Sequence, residues 1–288
     1  MIRKLAIIGV GLIGGSMAKA LRDEGVVQEI VGCGRGTANL EKAVELGVID
    51  HFTHDVTAAV QDADFVVLAV PLGAMRRTFE LMKGQLADDV VVTDVGSVKG
   101  SVIQDAEHVF GEAPEFFVPG HPIAGTERSG VEAAFPELFR NRRVILTPVQ
   151  NTSPDALQRV EQVWQQCGAE TSCMETGHHD EVLAATSHLP HMLAYALVDS
   201  LARMKENDEI FRYAAGGFRD FTRIASSNPT MWRDICLANR EALGVMLKRF
   251  AGELQDLAQT LEEEDSDGLL TIFERAKAAR DRYIDGIK

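Results

Sequence analysis

An α/β domain built on a parallel sheet, followed by an all-α C-terminal domain, is the fold that three observations predict. Up to about residue 175, short β-branched apolar runs alternate with amphipathic stretches, the pattern of buried strands joined by crossover helices. Beyond about Thr176 such runs cease and long helical periodicities take over. The first apolar run leads straight into Gly9-Val10-Gly11-Leu12-Ile13-Gly14, a glycine fingerprint in the strand-to-helix setting of a dinucleotide site. These observations divide the chain into an α/β Rossmann domain over residues 1–175 and a helical domain over 176–288 that would serve substrate binding and dimerisation.

The elements follow in order. Leu5–Ile8 reads as a strand, Leu12–Glu24 as a helix opening at the glycines, and Glu29–Cys33 as the second strand. Leu40–Leu46 is helical and stops at Gly47, and Phe65–Val70 is apolar throughout, as a strand covered on both faces must be. Val90–Thr93 and Arg143–Leu146 repeat that pattern. Ser153, Pro154 and Asp155 mark a helix start, with a cap, a first-turn proline and an early acid. Ala156, Leu157, Val160, Val163, Trp164 and Cys167 then share one face, which places Trp164 in the core, and Gly168 ends the helix. Long helices are expected over Asp180–Met204, Thr230–Leu261 and Gly268–Tyr283, with the acidic stretch Glu262–Asp267 as a solvated loop.

Composition narrows the function class. Of the 288 residues 45% are hydrophobic and 25% charged, as in an ordinary globular protein, and the net charge of -14 disfavours nucleic acid. An anionic substrate must then meet a local cluster of Arg or His. Cys33, Cys167, Cys173 and Cys236 form no C-x-x-C pair and no metal spacing, so four reduced thiols in the cytoplasm are expected. No signal peptide is expected ahead of the first strand, and no apolar run is long enough to span a bilayer.

In the fingerprint, Gly9 makes the tight turn, Gly11 admits the pyrophosphate and Gly14 lets the helix pack on the strand, with Leu12 and Ile13 in the first helical turn. About twenty positions after the last glycine an acid would bind the ribose hydroxyl of NAD. Here stand Gly34 and Arg35, and Arg35 could meet the 2′-phosphate of NADP or stack on adenine with either cofactor. The cofactor is therefore NADP or NAD, with NADP preferred. Val70 and Pro71 end a buried strand where ligands of such sheets lie, and Ser97 and Lys99 follow the next strand as donors near nicotinamide and substrate. Asp94 reads as a turn or cap residue.

One Rossmann domain downstream of the fingerprint, His121 is a candidate proton acceptor within Gly120–Thr126. Ser187-His188-Leu189-Pro190-His191, Arg219–Ala225 and Pro229-Thr230-Met231-Trp232 are further polar stretches at cleft-like positions. With the fingerprint, the set resembles the prephenate/arogenate (cyclohexadienyl) dehydrogenase family of tyrosine biosynthesis, from Leu5 to about Asn239. The resemblance implies NAD(P)-dependent oxidative decarboxylation, giving 4-hydroxyphenylpyruvate from prephenate or tyrosine from arogenate. It makes His121 the catalytic histidine that accepts the 4-hydroxyl proton, and Ser97 the serine that orients it. It makes Arg223 the anchor for a substrate carboxylate, with Asp220 either orienting that arginine or contributing across a subunit interface. His179 and His191 match substrate-region histidines, Gly216 and Trp232 match pocket lining, and Thr126 and Glu127 continue the histidine loop. Trp232 also reads as plain helical core.

His188 and His191 lie one turn apart, but with no third ligand they are not read as a metal site. A homodimer through the helical domain is expected. No appended regulatory domain or fused mutase segment is expected, so any inhibition by tyrosine should be competitive. The alternatives are another Rossmann-plus-helical dehydrogenase of the 3-hydroxyacid type and a non-catalytic NAD(P) sensor. The first usually carries a lysine base early in the helical half, where this chain has no lysine from Thr176 to Arg203. The second needs neither a histidine facing the nicotinamide nor an arginine anchor.

Overall fold

The computed structural model describes residues 1–126 and 128–283. The chain opens β1 (Ile2–Ile8), α1 (Leu12–Asp23), β2 (Val27–Cys33), α2 (Thr37–Glu45), β3 (His51–Thr53), α3 (Val56–Val60) and β4 (Phe65–Leu68). It continues α4 (Met75–Met82), β5 (Val91–Asp94), α5 (Lys99–Phe110) and β6 (Phe117–Val118). These six strands form a wholly parallel sheet in the order β3-β2-β1-β4-β5-β6, the doubly wound arrangement the alternating pattern predicted. Alternation along the central strands builds its two faces. Leu5, Ile7, Phe65 and Val67 pack with Met17, Leu21, Val160 and Trp164, while Ala6, Ile8, Val66 and Leu68 pack with Met75, Phe79, Met82 and Phe117.

A second sheet departs from the expected single one. β7 (Gly120–Pro122) pairs antiparallel with β8 (Arg143–Leu146), and after α6 (Pro154–Gln166) β8 pairs parallel with β9 (Glu170–Cys173). His121 therefore sits on a strand, opposite Ile145, and not in a loop. Trp164 is fully buried, edge-on to Phe139, as the helical face required. Ser153 stands at the N-cap of α6 but its side chain makes no capping bond, and its N–H donates to the Glu115 carbonyl instead.

The remaining elements are α7 (Thr176–Leu183), a π turn (Ala184–His188), α8 (Leu189–Ala202), α9 (Asn207–Arg212), α10 (Gly216–Thr222), α11 (Pro229–Ala238), α12 (Arg240–Glu262) and α13 (Ser266–Tyr283). The helix expected over Asp180–Met204 thus carries a π turn, a distortion that re-aims side chains. The helix expected over Thr230–Leu261 breaks at Asn239, whose amide donates to the Asp180 carbonyl and meets His188 Nδ1. By compactness the chain divides into Met1–Arg240 and Glu241–Lys288. Every candidate site residue belongs to the first unit. Among the described residues no helix is long and apolar enough to cross a membrane.

Candidate active site

The glycine turn is shaped as a dinucleotide cradle. Gly9 has φ +103°, and a Cβ there would lie 2.3 Å from the Ala69 carbonyl oxygen. A Cβ on Gly14 would lie 2.6 Å from the Gly9 carbonyl oxygen and 2.8 Å from Ile7, so α1 can approach β1 only without a side chain at that point. A Cβ on Gly11 would meet open space. No side chain caps the N-terminus of α1, which leaves its first N–H groups, those of Leu12 and Ile13 among them, for an anion. A cavity of about 340 Å³ opens there, lined by Gly9, Val10, Gly11, Gly34, Arg35, Gly36, Asn39, Leu40 and Ala69. Arg35 is exposed on its wall, and the Val70 backbone lies beside Gly9 with Pro71 exposed just beyond. This cradle fits a dinucleotide. A larger hollow of about 490 Å³, lined by Asp23, Glu24, Arg140 and Gln162 among others, contains none of the predicted residues.

Past β5 the chain builds a buried polar chain. Asp94 is fully buried and its carboxylate accepts from the N–H groups of Gly96 (2.7 Å) and Gly120 (3.1 Å). Lys99, 0% exposed, donates its ammonium to Asp94 and, at 2.6 Å, to the Gly120 carbonyl. This corrects the expectation that Lys99 donates to the nicotinamide, since its side chain is spent inside the protein. It also corrects the minor part given to Asp94. Ser97 is half-buried and makes no side-chain hydrogen bond among the described residues.

His121 is buried, and its Nδ1 lies 2.9 Å from His179 Nε2. His179 Nδ1 lies 2.8 Å from Asp180 Oδ1. Asp180 also receives the N–H groups of Lys99 and Gly100, each at 2.9 Å, and so caps α5 from outside that helix. Burial alone raises the Asp180 pKa, but its bonds from His179, Lys99 and Gly100 outweigh that and hold it below the usual carboxylate range. An ionised Asp180 only accepts, so His179 Nδ1 carries the proton. With that proton on Nδ1, His179 Nε2 is the acceptor toward His121, His121 donates from Nδ1, and its Nε2 keeps a free lone pair. Burial first, and the Lys99 charge next, push the His121 pKa well below its ordinary 6.5, so the ring is neutral at pH 7. His179 is 0% exposed and acts on His121; the expectation that it contacts substrate is corrected.

The π turn and α8 add two more histidines. His191 Nδ1 bonds the Ser187 carbonyl at 2.8 Å, and its ring stacks on Trp232 with centroids 3.6 Å apart and an interplanar angle of 19°. Burial lowers the His191 pKa, the Ser187 hydrogen bond opposes this, and the Arg223 charge lowers it further. Trp232 packs with Val98 and Ile235, so it is core and lining at once. Gly216, Arg219 and Asp220 are exposed on α10, which packs on α8, and Arg223 is exposed at the following turn. Thr126 is exposed and accepts from the Arg128 N–H. Glu127 lies outside the described residues.

His188, which its spacing alone did not make a ligand, is fully buried between Asn239 and Trp232. Burial lowers its pKa from 6.5 to about 4. The native state then excludes a proton that the unfolded chain takes up below pH 6.5. The stability from neutral His188 is therefore present above pH 6.5 and is lost as pH falls toward 4, by about 3 kcal/mol at 1.36 kcal/mol per unit. Denaturant midpoints at pH 7 and pH 4.5 should fall steeply in the wild type and less in His188→Gln. Equal slopes would contradict this.

Comparison with known proteins follows the same lines. Residues 17–173 match the family model described as the prephenate dehydrogenase nucleotide-binding domain, and residues 175–275 match its dimerization domain. The chain is similar to the cyclohexadienyl dehydrogenase of Zymomonas mobilis, at 39% identity over 96% of this chain and 95% of the relative. It is also similar to the prephenate dehydrogenase of Bacillus subtilis, at 36% identity over 96% and 75%. The solved structure of Aquifex aeolicus prephenate dehydrogenase with hydroxyphenyl propionate and NAD+ superposes with a TM-score of 0.91, at 38% identity and 98% coverage of both chains. Synechocystis arogenate dehydrogenase gives a TM-score of 0.81 at 30% identity, covering 97% of this chain and 99% of that one.

Proposed function

The chain belongs to the prephenate dehydrogenase family, and from that premise we propose how its residues divide the work of an oxidative decarboxylation. It is an NAD(P)-dependent oxidoreductase of tyrosine biosynthesis that acts on prephenate, arogenate or both. In that reaction ring C4 loses a hydride, the 4-hydroxyl loses a proton, and the ring carboxylate leaves as CO2 while the ring becomes aromatic. Bound nicotinamide dinucleotide supplies the hydride acceptor.

The observation that carries the reading is the chain Asp180–His179–His121; with a proton on Nδ1 of each ring, His121 Nε2 is a free acceptor. His121 takes the 4-hydroxyl proton there, and the resulting imidazolium is stabilised through His179 by Asp180. Ser97 orients the hydroxyl. Arg223, whose charge acts on His191, binds a substrate carboxylate by paired charge-assisted hydrogen bonds. Trp232 fixes the His191 ring by stacking. Gly216, Asp220 and Thr126 border the substrate. Gly9, Gly11, Leu12, Ile13 and Gly14 hold the pyrophosphate, with Val70 and Pro71 beside it. Prephenate deuterated at C4 tests the reaction class. Deuterium should appear in the reduced nicotinamide with one CO2 per turnover, and reduction without CO2 release would overturn the reading.

We assign NADP as the preferred cofactor on the exposed Arg35 guanidinium at the cavity wall. Arg35→Ala should raise the KM for NADP+ about tenfold, the worth of one charge-assisted hydrogen bond, and leave that for NAD+ within about twofold. An equal rise for both would mean that Arg35 stacks on adenine. The division into residues 1–175 for the cofactor and 176–288 for substrate and dimerisation is part of the same proposal. So is a cytoplasmic homodimer, supported by the large apolar side chains exposed on the last two helices, such as Val245 at 68% and Phe273 at 58%.

A further inference from the structure

The buried Lys99–Asp94 pair is not used by the reaction as described, although it is joined to His121 along two routes. The first runs through the strand. Lys99 Nζ donates to the Gly120 carbonyl at 2.6 Å and Asp94 accepts from the Gly120 N–H at 3.1 Å. Both polar groups of the residue before His121 are thereby fixed by one ion pair, whose members are 0% exposed. The second route runs through the relay. The Lys99 N–H donates to Asp180 Oδ1 at 2.9 Å, the same oxygen that receives His179 Nδ1. A single residue thus holds the strand carrying the proton acceptor and the carboxylate that sets its tautomer.

We propose that Lys99, paired with Asp94, is the positioning residue for His121, setting both the placement of its ring and its affinity for a proton. This rests on His121 being the proton acceptor. A buried ion pair is a poor source of net stability compared with apolar residues of the same volume, so its place under the catalytic strand is better explained by geometry and field. Desolvation lowers the Lys99 pKa, and the Asp94 charge and hydrogen bond oppose it in part. The ammonium in turn disfavours protonation of His121. The titratable and charged groups that face His121 are Lys99 from α5, His179 with Asp180 behind it from α7, and His188 from the π turn. Among these described groups Lys99 is the lysine, and it is held by the Asp94 carboxylate.

The test uses Lys99→Met and Lys99→Gln in the full-length enzyme, with kcat, KM and the pH profile of kcat/KM for prephenate. Methionine removes both charge and donor, whereas glutamine removes the charge but keeps an amide able to donate to Gly120. Lys99→Met should lose about tenfold to a hundredfold in kcat, as expected for a misplaced proton acceptor, with KM for the dinucleotide within about threefold. In both variants the acid limb should move to higher pH by about half a unit to one unit, because a like charge has been removed from beside His121. Lys99→Gln should recover part of kcat and keep the shifted limb. A purely structural lysine would lower melting temperature without moving the limb. If Lys99→Met does not fold, Lys99→Gln carries the same readouts. A folded variant with wild-type kcat and an unmoved limb overturns the proposal. His121→Asn assayed alongside separates the two readings: if it retains activity, the assignment of the proton acceptor fails, and if it alone is inactive, only the role of Lys99 fails.

Discussion

Replacing His121 with asparagine is expected to lower kcat by about a thousandfold, within the range that a general base contributes, while KM for prephenate changes by less than about threefold. Asparagine is close in size and keeps a hydrogen-bonding group, so the strand pair with β8 and the contact toward His179 survive. The amide cannot take a proton, so the interaction removed is one made in the transition state. The remaining activity should also lose the acid limb of its pH profile, since no group of lowered pKa is left to titrate at that position. Steady-state kinetics from pH 5 to 9 check both points. A variant with near-normal kcat would place the proton acceptor elsewhere.

Replacing Arg223 with alanine acts on binding. Removing the arginine from a buried arginine–carboxylate pair costs several kcal/mol. Arg223 is exposed in the isolated chain, so solvent screens part of that interaction, and a loss of about 2 kcal/mol is expected, roughly thirtyfold in KM. Dinucleotide affinity should be unchanged, because the glycine cradle at Gly9–Gly14 does not involve this arginine. The cation also depresses the pKa of His191, so in Arg223→Ala the His191 resonances should titrate at higher pH. Unchanged KM with a shifted His191 would leave Arg223 near the site but not on the substrate.

Local signals made part of this architecture legible in the sequence. Strands buried on both faces are largely apolar, so Phe65–Val70 and Val90–Thr93 could be read from composition, each within two residues of β4 and β5. The fingerprint was readable because only glycine satisfies both the positive φ at position 9 and the close approach at position 14. What could not be read depends on partners far along the chain. β7 is three residues long and ends in proline, and it is a strand because Arg143–Leu146 lies beside it. Asn239 carries no strong breaker signal, yet its amide is drawn to Asp180 and His188. In the site, its place one Rossmann domain downstream of the fingerprint made His121 a candidate, and the resemblance to the family made His191 and Arg223 candidates. The parts played by His179 and Lys99 follow from burial, which spacing does not reveal. One signal was available: an aspartate closing a buried strand, with a lysine five residues on across a glycine turn, is the arrangement of a buried ion pair.

The most direct test of the central claim is a four-way assay of nicotinamide reduction, pairing prephenate or arogenate with NAD+ or NADP+, run on wild type and His121→Asn together. Reduction by the wild type is expected in at least one pairing, fastest with NADP+, with nearly all of it lost in the variant. Absence of reduction in all four pairings, by folded protein that still binds dinucleotide, would contradict it.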